Sequence, residues 1–432
     1  MSVQRDREQQ VVVTGVGIVS PIGIGVEPFW DGLRNRQSGI APITYLPSSA
    51  LPDHVGGEVK GFEAAKYTKT KDQKKSLKVM CRDIQLGVVS AWLAMEHGGI
   101  APGTVAPERL GVEFGANLML SPPPELANAS VSCVDETGKF NMTSWGTKGL
   151  GEMEPLWLLK YLPNMPACHI GIYADARGPN NSLTLDEASG GLAVGEALRV
   201  IARGHADVII TGTTGTRIHT VKSLHAAMWD KLATGAPAER SRPFDRERTG
   251  QVAAEAACTM ILEERGHAER RGAKVYGKIL GAGASCVCDK TGNGKLREAL
   301  VIAMRAALAD ARISPADVGH INANASGDPE GDRQEALAIH DVFGASATTV
   351  PVTALKSYFG NSGSGNGVLE LAGSLLALSH GVIPATLNFV GGDAETPLNV
   401  VAGEHLATTN KILLKTSVTR MGQASAVIAC GV

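Results

Sequence analysis

The sequence predicts an α/β fold made of two similar halves with two stacked sheets. Three observations carry this. Buried-strand patterns alternate with helical ones along most of the 432 residues. One succession occurs twice: a helix to Glu96, Ile100-Ala-Pro102 and a strand from Leu110, then a helix to Ala311, Ile313-Ser-Pro315 and a strand from His320. The 51 glycines and only 4% aromatic residues suit close backbone packing and many turns.

In order, Gln10–Gly23 (QVVVTGVGIVSPIG) reads as a buried strand ending in a glycine turn. Gly15-x-Gly17 lacks the third glycine of a dinucleotide fingerprint, because Ser20 stands there and Pro21 disturbs the helix start. A short helix is expected over Val26–Arg34. Lys66–Lys78 is a basic run leading into an amphipathic helix, Val79–Glu96. A strand follows at Leu110–Gly115. Residues 117–165 are irregular, with Pro122-Pro123-Pro124, and suggest a cap or pocket-lining insertion. Ala206–Gly212 and Ala253–Glu263 read as strands. The second half begins with Lys274–Ser285, which resembles the first strand and its glycines. It continues through a helix at Lys295–Ala311 and strands at His320–Ala323 and Thr349–Ala354. A helix at Gly367–His380 and strands at Ile412–Ser417 and Ala426–Cys430 close it.

Bulk properties exclude several classes. Hydrophobic residues make up 44% and charged ones 19%, ordinary for a globular chain with a sizeable core. A net charge of −2 gives no global attraction to nucleic acid or a membrane surface. The polar start MSVQRDREQQ is no signal peptide, and no apolar run reaches the roughly 20 residues of a membrane span. The seven scattered cysteines point to reduced thiols and a cytoplasmic setting. Cys286-x-Cys288 is the one close pair and a weak metal signal, so no metal and no cofactor is expected.

Asn181–Gly204 (NSLTLDEASGGLAVGEALRVIARG) reads as strand, sharp turn and amphipathic helix, with small residues crowding the turn. Such a turn lifts one side chain toward a cavity, and here that side chain is Glu187.

With these stretches in hand, the chain resembles the β-ketoacyl synthase family and, more distantly, the thiolases. The opening VVVTGVGIVSPIG, RPFDRERTG (Arg242–Gly250), ILEERGHAERRGAKVYGKI (Ile261–Ile279) and IPATLN (Ile383–Asn388) carry the likeness in the family's order. The resemblance implies the thiolase-like, duplicated five-layer αβαβα fold, here with halves 1–260 and 261–432 and a cap at 117–165. It also implies a dimer and an acyl carrier protein as partner.

The family's site uses a cysteine at a helix N-terminus, two histidines and a lysine. Carried over, the family's T-A-C-x-S-G becomes Leu185-Asp186-Glu187-Ala188-Ser189-Gly190, so Glu187 takes the cysteine's place. Asn324 takes the first histidine's place in Ala323-Asn324-Ala325-Ser326-Gly327-Asp328. Asn361 takes the second's in Lys356-Ser357-Tyr358-Phe359-Gly360-Asn361, where Lys356 is retained. The late glycine-rich loop with its aromatic gate has become Thr416-Ser417-Val418-Thr419-Arg420-Met421-Gly422.

A carboxylate is a poor acyl acceptor, and asparagine moves no proton near neutral pH. The resemblance therefore implies a ketosynthase-like protein without condensation, similar to chain-length-factor subunits that pair with an intact ketosynthase, or a homodimer. Alternatives are a rebuilt enzyme using Glu187 as acid/base on an acyl thioester, and a non-catalytic scaffold binding carrier protein. Glu187 itself reads either as a structural anion or helix cap or as that acid/base, and an ion pair with Lys356 would favour the former. Asp186, Ser189, Thr416, Val418 and Arg420 are expected at the substrate pocket. Lys69, Lys71, Lys74 and Lys75 would dock the carrier or form a solvated helix start. Trp145 and Trp157 would line a tunnel, meet a partner or pack in the core.

Overall fold

The computed structural model describes residues 10–432. Its main strands are β1 (Val11–Ser20), β2 (Leu110–Ala116), β3 (Asn180–Leu183), β4 (Val208–Thr216), β5 (Glu255–Glu264), β6 (Gly277–Cys286), β7 (His320–Asn322), β8 (Pro351–Thr353), β9 (Asn399–Val400), β10 (Ile412–Val418) and β11 (Gln423–Gly431). They lie in the order β9-β8-β7-β10-β11-β6-β1-β5-β4-β2-β3.

The duplication is explicit in that order. The first half reads β3-β2-β4-β5-β1 from its edge, and the second reads β8-β7-β10-β11-β6 with β9 added outside. Directions match as well. In the first half β2 is parallel to β3 and β4, and β5 is antiparallel to β4 and β1. In the second, β7 is parallel to β8 and β10, and β11 is antiparallel to β10 and β6. Residues 260 and 261 are neighbours inside β5, so the first half's sheet extends to Glu264.

The sheets differ from the sequence expectation in one respect. They are joined: Val11–Val13 of β1 pair with Gly277–Ile279 of β6, which makes one hydrogen-bonded sheet of 12 strands. The two halves still form layers. Helix Ser189–Ala202 touches β2 and β4 of the first half and β6, β10 and β11 of the second. Helix Asn366–Ser379 likewise touches β4, β5, β10 and β11. Helix Arg82–Gly98 covers the other face of the first half, and helices Leu296–Ala311 and Pro329–Phe343 cover that of the second.

Glycines mark where these layers approach. A Cβ on Gly17 would stand 2.0 Å from the Ser90 carbonyl oxygen in helix Arg82–Gly98. The Gly15-x-Gly17 pair thus serves helix–sheet contact. Gly190 and Gly367, each the second residue of a central helix, meet directly, and a Cβ on Gly190 would lie 2.9 Å from the Gly367 Cα. The small residues crowding the Asn181–Gly204 turn let the two halves close on each other.

Local readings hold for most elements, including the helix Val26–Arg34. The helix expected from Val79 starts at Arg82, because Leu77–Val79 forms a 3₁₀ turn between it and a short helix, Lys71–Ser76, that carries Lys71, Lys74 and Lys75 of the basic run. Three of the longer helices have no counterpart in the sequence expectations: Met165–Ala174, Thr220–Trp229 and Pro329–Phe343. The first is apolar nearly all round and so has little periodic signal, whereas Pro329–Phe343 buries Ala336, Ile339 and Phe343 at helical spacing, a signal present in the sequence. Residues 117–165 are built of 3₁₀ turns and one short helix, Ala127–Ser132. Among the described residues no helix is long and apolar enough to cross a membrane.

Candidate functional site

Strand β3 ends at Leu183, Asp186–Ala188 form a 3₁₀ turn, and the central helix begins at Ser189. Asp186 takes a left-handed backbone conformation (φ 46°) and directs Glu187 inward. Glu187 is 8% exposed. The Ser189 hydroxyl locks the turn by accepting from the Leu185 amide at 2.9 Å.

Glu187 is held by side chains from two other segments. Its Oε1 accepts from Arg217 Nη2 at 2.7 Å and from Asn361 Nδ2 at 2.9 Å. Arg217 follows β4 and also donates to Asp186 Oδ2 at 3.1 Å and to Gln251 Oε1 at 3.1 Å, while Asp230 Oδ2 lies 4.0 Å away. Asn361 Nδ2 also donates to Gln251 Oε1 at 2.6 Å, and Asn361 Oδ1 accepts from the Gly363 amide. Three carboxylates, Asp186, Glu187 and Asp230, therefore surround one guanidinium.

Burial, followed by the neighbouring Asp186 charge, raises the Glu187 pKa above the ordinary carboxyl value, and Arg217 and Asn361 oppose this. Burial also raises Asp230, against the pull of Arg217 and Arg420. The carboxylates hold Arg217 protonated in spite of its burial.

The expected Glu187–Lys356 pair does not form. Lys356 is buried against Glu370 (2.9 Å), which also takes Lys415 at 2.6 Å. Lys356 Nζ donates to the Asn324 backbone oxygen at 2.6 Å and lies 3.3 Å from its Oδ1. The Asn324 amide N–H donates to Glu335 Oε1. Nor does Glu187 cap the central helix, since its partners are Arg217 and Asn361 rather than that helix's amides.

A cavity of about 580 Å³ opens over this cluster. Glu187, Asn324 and Asn361 line it together, as do Asp186, Val418 and Arg420. Lys356 does not line it and acts from behind through Asn324. Ser189 and Thr416, expected at the pocket, are fully buried behind its wall, where Thr416 Oγ1 donates to Glu335 Oε1 at 2.7 Å. No cysteine lines the cavity, and its one histidine, His225, packs against Trp229 at 4.7 Å between ring centroids.

Trp145 and Trp157 lie outside the cavity; Trp145 packs on Phe140, and Trp157 packs on Tyr161 and donates to Ser121. The tryptophan at the cavity is Trp229, with the Arg420 guanidinium 5.4 Å over its ring. Lys69, Lys71, Lys74 and Lys75 are exposed on a separate segment, and Lys69 pairs with Glu96.

Sequence reasoning missed Arg217, Gln251, Asp230 and Lys222. Each lies on a strand end, loop or unrecognised helix, far from the three motifs in sequence. The available signal was an arginine directly after the apolar-and-threonine run of β4, where the neighbouring residues are buried.

A duplicated α/β architecture with the cavity at the N-terminus of a central helix defines a thiolase-type protein. Comparisons assign the family within that class. The description "Beta-ketoacyl synthase, N-terminal domain" matches residues 8–268, and "Beta-ketoacyl synthase, C-terminal domain" matches residues 276–390. The chain belongs to the β-ketoacyl synthase family.

Relatives include a 3-oxoacyl-[acyl-carrier-protein] synthase and a polyketide synthase subunit. The "3-oxoacyl-[acyl-carrier-protein] synthase 2" of Synechocystis is 29% identical over 95% of each chain. The "Tetracenomycin polyketide synthase ketoacyl synthase alpha subunit" of Streptomyces glaucescens is 33% identical over 92% of this chain and 91% of its own. In fold, the chain matches "The ishigamide ketosynthase/chain length factor" with a TM-score of 0.84 and 24% identity, covering 98% of this chain and 99% of the other.

Proposed function

We propose that this chain is a non-condensing member of its family that pairs with a complete ketosynthase, as chain-length-factor subunits do, and receives an acyl carrier protein. The observation that carries this reading is the Glu187–Arg217 ion pair at the position matching the family's nucleophile. A carboxylate tied to a guanidinium is a weak nucleophile, and the neighbouring amides of Asn361 and Asn324 exchange no protons near neutral pH. The pair fills the old thiolate site as a structural anion.

Two surface features support partners. Leu118, Phe140, Met142, Leu150, Leu156 and Leu158 of the 117–165 segment are all more than half exposed, an apolar face suited to a second subunit, homologous or identical. Lys71, Lys74 and Lys75 offer positive charge to an acidic carrier protein. A relative's name includes that carrier.

Co-expression with a complete ketosynthase tests the reading. A stable heterodimer is expected, with condensation that depends on the partner's cysteine. A chain that forms only homodimers and leaves the ketosynthase's products unchanged would sink it, and carrier binding without any such partner would leave the scaffold role.

A second reading has its own observation. The raised pKa of Glu187, inside a cavity, suits an acid/base acting on a carrier-bound acyl thioester. Glu187→Gln should then abolish turnover of an acyl thioester; no turnover by the unaltered protein across a broad acyl panel removes this reading.

A further inference from the structure

The cavity floor carries more negative charge than its own groups neutralise. Asp186, Glu187 and Asp230 all lie within 4.0 Å of the Arg217 guanidinium, and six acids in all line the cavity against four cations. Lys222, the next cation along the wall, is already matched: its Nζ lies 3.2 Å from Asp83 Oδ2 and donates to the Thr216 carbonyl. Arg420 sits farther along, over Trp229, where its charge also acts on Asp230, and Lys231 is the fourth cation on the wall.

Glu187 also keeps one oxygen in reserve. Its side chain is 10% exposed, and both inter-residue hydrogen bonds fall on Oε1. Among the described residues no other residue donates to Oε2, the carboxylate's remaining hydrogen bond coming from the Glu187 amide itself, and the residue lines the cavity. The Asp186 side chain beside it is half exposed.

We infer that the cavity takes a ligand ending in a primary ammonium group, received between Glu187 Oε2 and the Asp186 carboxylate. This rests on reading the cavity as a ligand site, and it sharpens the substrate class of that site. An alkyl chain end would cover charged groups without replacing their hydrogen bonds, which is costly. A carboxylate end would meet three carboxylates at the floor. An ammonium supplies three donors and one positive charge, which the free oxygen and the uncompensated carboxylates accept. The ligand class is an amine-bearing chain, such as an ω-aminoacyl group, rather than a simple fatty acyl group.

The test uses the whole protein with n-butylammonium, 1-butanol and butanoate at equal ionic strength near neutral pH, read by calorimetry. These probes involve neither carrier nor partner subunit, so a negative result here leaves the co-expression test untouched, and the reverse holds. Saturable butylammonium binding is expected, at least about tenfold tighter than butanol, or about 1.4 kcal/mol, with butanoate weakest. Glu187→Gln should remove at least about tenfold of that affinity, again about 1.4 kcal/mol. If Glu187→Gln fails to fold, Asp186→Asn, altered at a half-exposed side chain, should weaken butylammonium and leave butanol unchanged. Butanol or butanoate binding as tightly, no saturable butylammonium binding, or unchanged affinity in the variant that folds would overturn the inference.

Discussion

Arg217 Nη2 stands 2.7 Å from Glu187 Oε1 and 3.1 Å from Asp186 Oδ2, so one guanidinium from the end of β4 ties down both acids of the turn at the cavity floor. Glu187, proposed at the family's nucleophile position, is thereby part of an ion pair whose partner lies 30 residues further along the chain. Each group is costly to bury alone, and this makes the pair experimentally accessible.

Arg217→Leu leaves Glu187 buried with only Asn361 and should destabilise the fold by about 3–5 kcal/mol, the usual cost of breaking a buried pair. Arg217→Leu with Glu187→Leu should recover much of that loss. Guanidinium unfolding of the single and double variants checks it, and strict additivity would refute the coupling.

Glu187→Cys alone should produce no β-ketoacyl product from acyl and malonyl carrier substrates. The thiol would sit beside Asn361 and Gln251 with no base at hand, and Arg217 would lose a carboxylate partner. Mass spectrometry of the carrier after incubation reads the outcome. Product formation by this single variant would show that the asparagines suffice.

Glu113, on β2, is buried, and its Oε2 has no hydrogen-bond partner among the described residues. Burial, with the Glu196 charge added, pushes its pKa up to about 7. A raised carboxyl pKa means the folded state binds the proton more tightly, so this contribution is full below the unfolded value and is lost as pH rises toward 7. The slope across that window is at most about 1.4 kcal/mol per pH unit. Glu113→Gln should therefore gain stability relative to the unaltered protein between about pH 4 and about pH 8, which flank the window from 4.5 to about 7. Denaturation midpoints at the two pH values test this, and a constant difference would contradict it.

Glu370 neutralises two fully buried cations, Lys356 at 2.9 Å and Lys415 at 2.6 Å. Glu370→Gln should cost at least about 3–5 kcal/mol, since both ammonium groups lose their counterion. Burial already lowers the Lys415 pKa in the presence of Glu370, so the variant should regain part of its stability at alkaline pH, where a lysine can shed its proton. A thermal melt that ignores pH would count against this account.

Much of the architecture was legible in the sequence because it is written locally. The repeated succession of helix, proline turn and strand reports a duplicated unit, and the paired strand orders β3-β2-β4-β5-β1 and β8-β7-β10-β11-β6 express it. The turn at Asp186-Glu187 was readable because small residues must stand where two central helices meet at Gly190 and Gly367. The helices Met165–Ala174 and Thr220–Trp229 were not, since their faces are set by what they pack against.

The sequence by itself set the expectation that a carboxylate and two amides, Glu187, Asn324 and Asn361, stand where the family's motifs place a thiol and two imidazoles, because motifs carry residue identity and order. Tertiary structure decided what those residues do. It gave Glu187 to Arg217 and Gln251's neighbour Asn361, sent Lys356 to Glu370, and joined the two halves through three residues of β1 and β6. Charge pairing in a low-dielectric interior depends on distances of a few ångströms between segments that lie tens to hundreds of residues apart, and no local pattern records those distances.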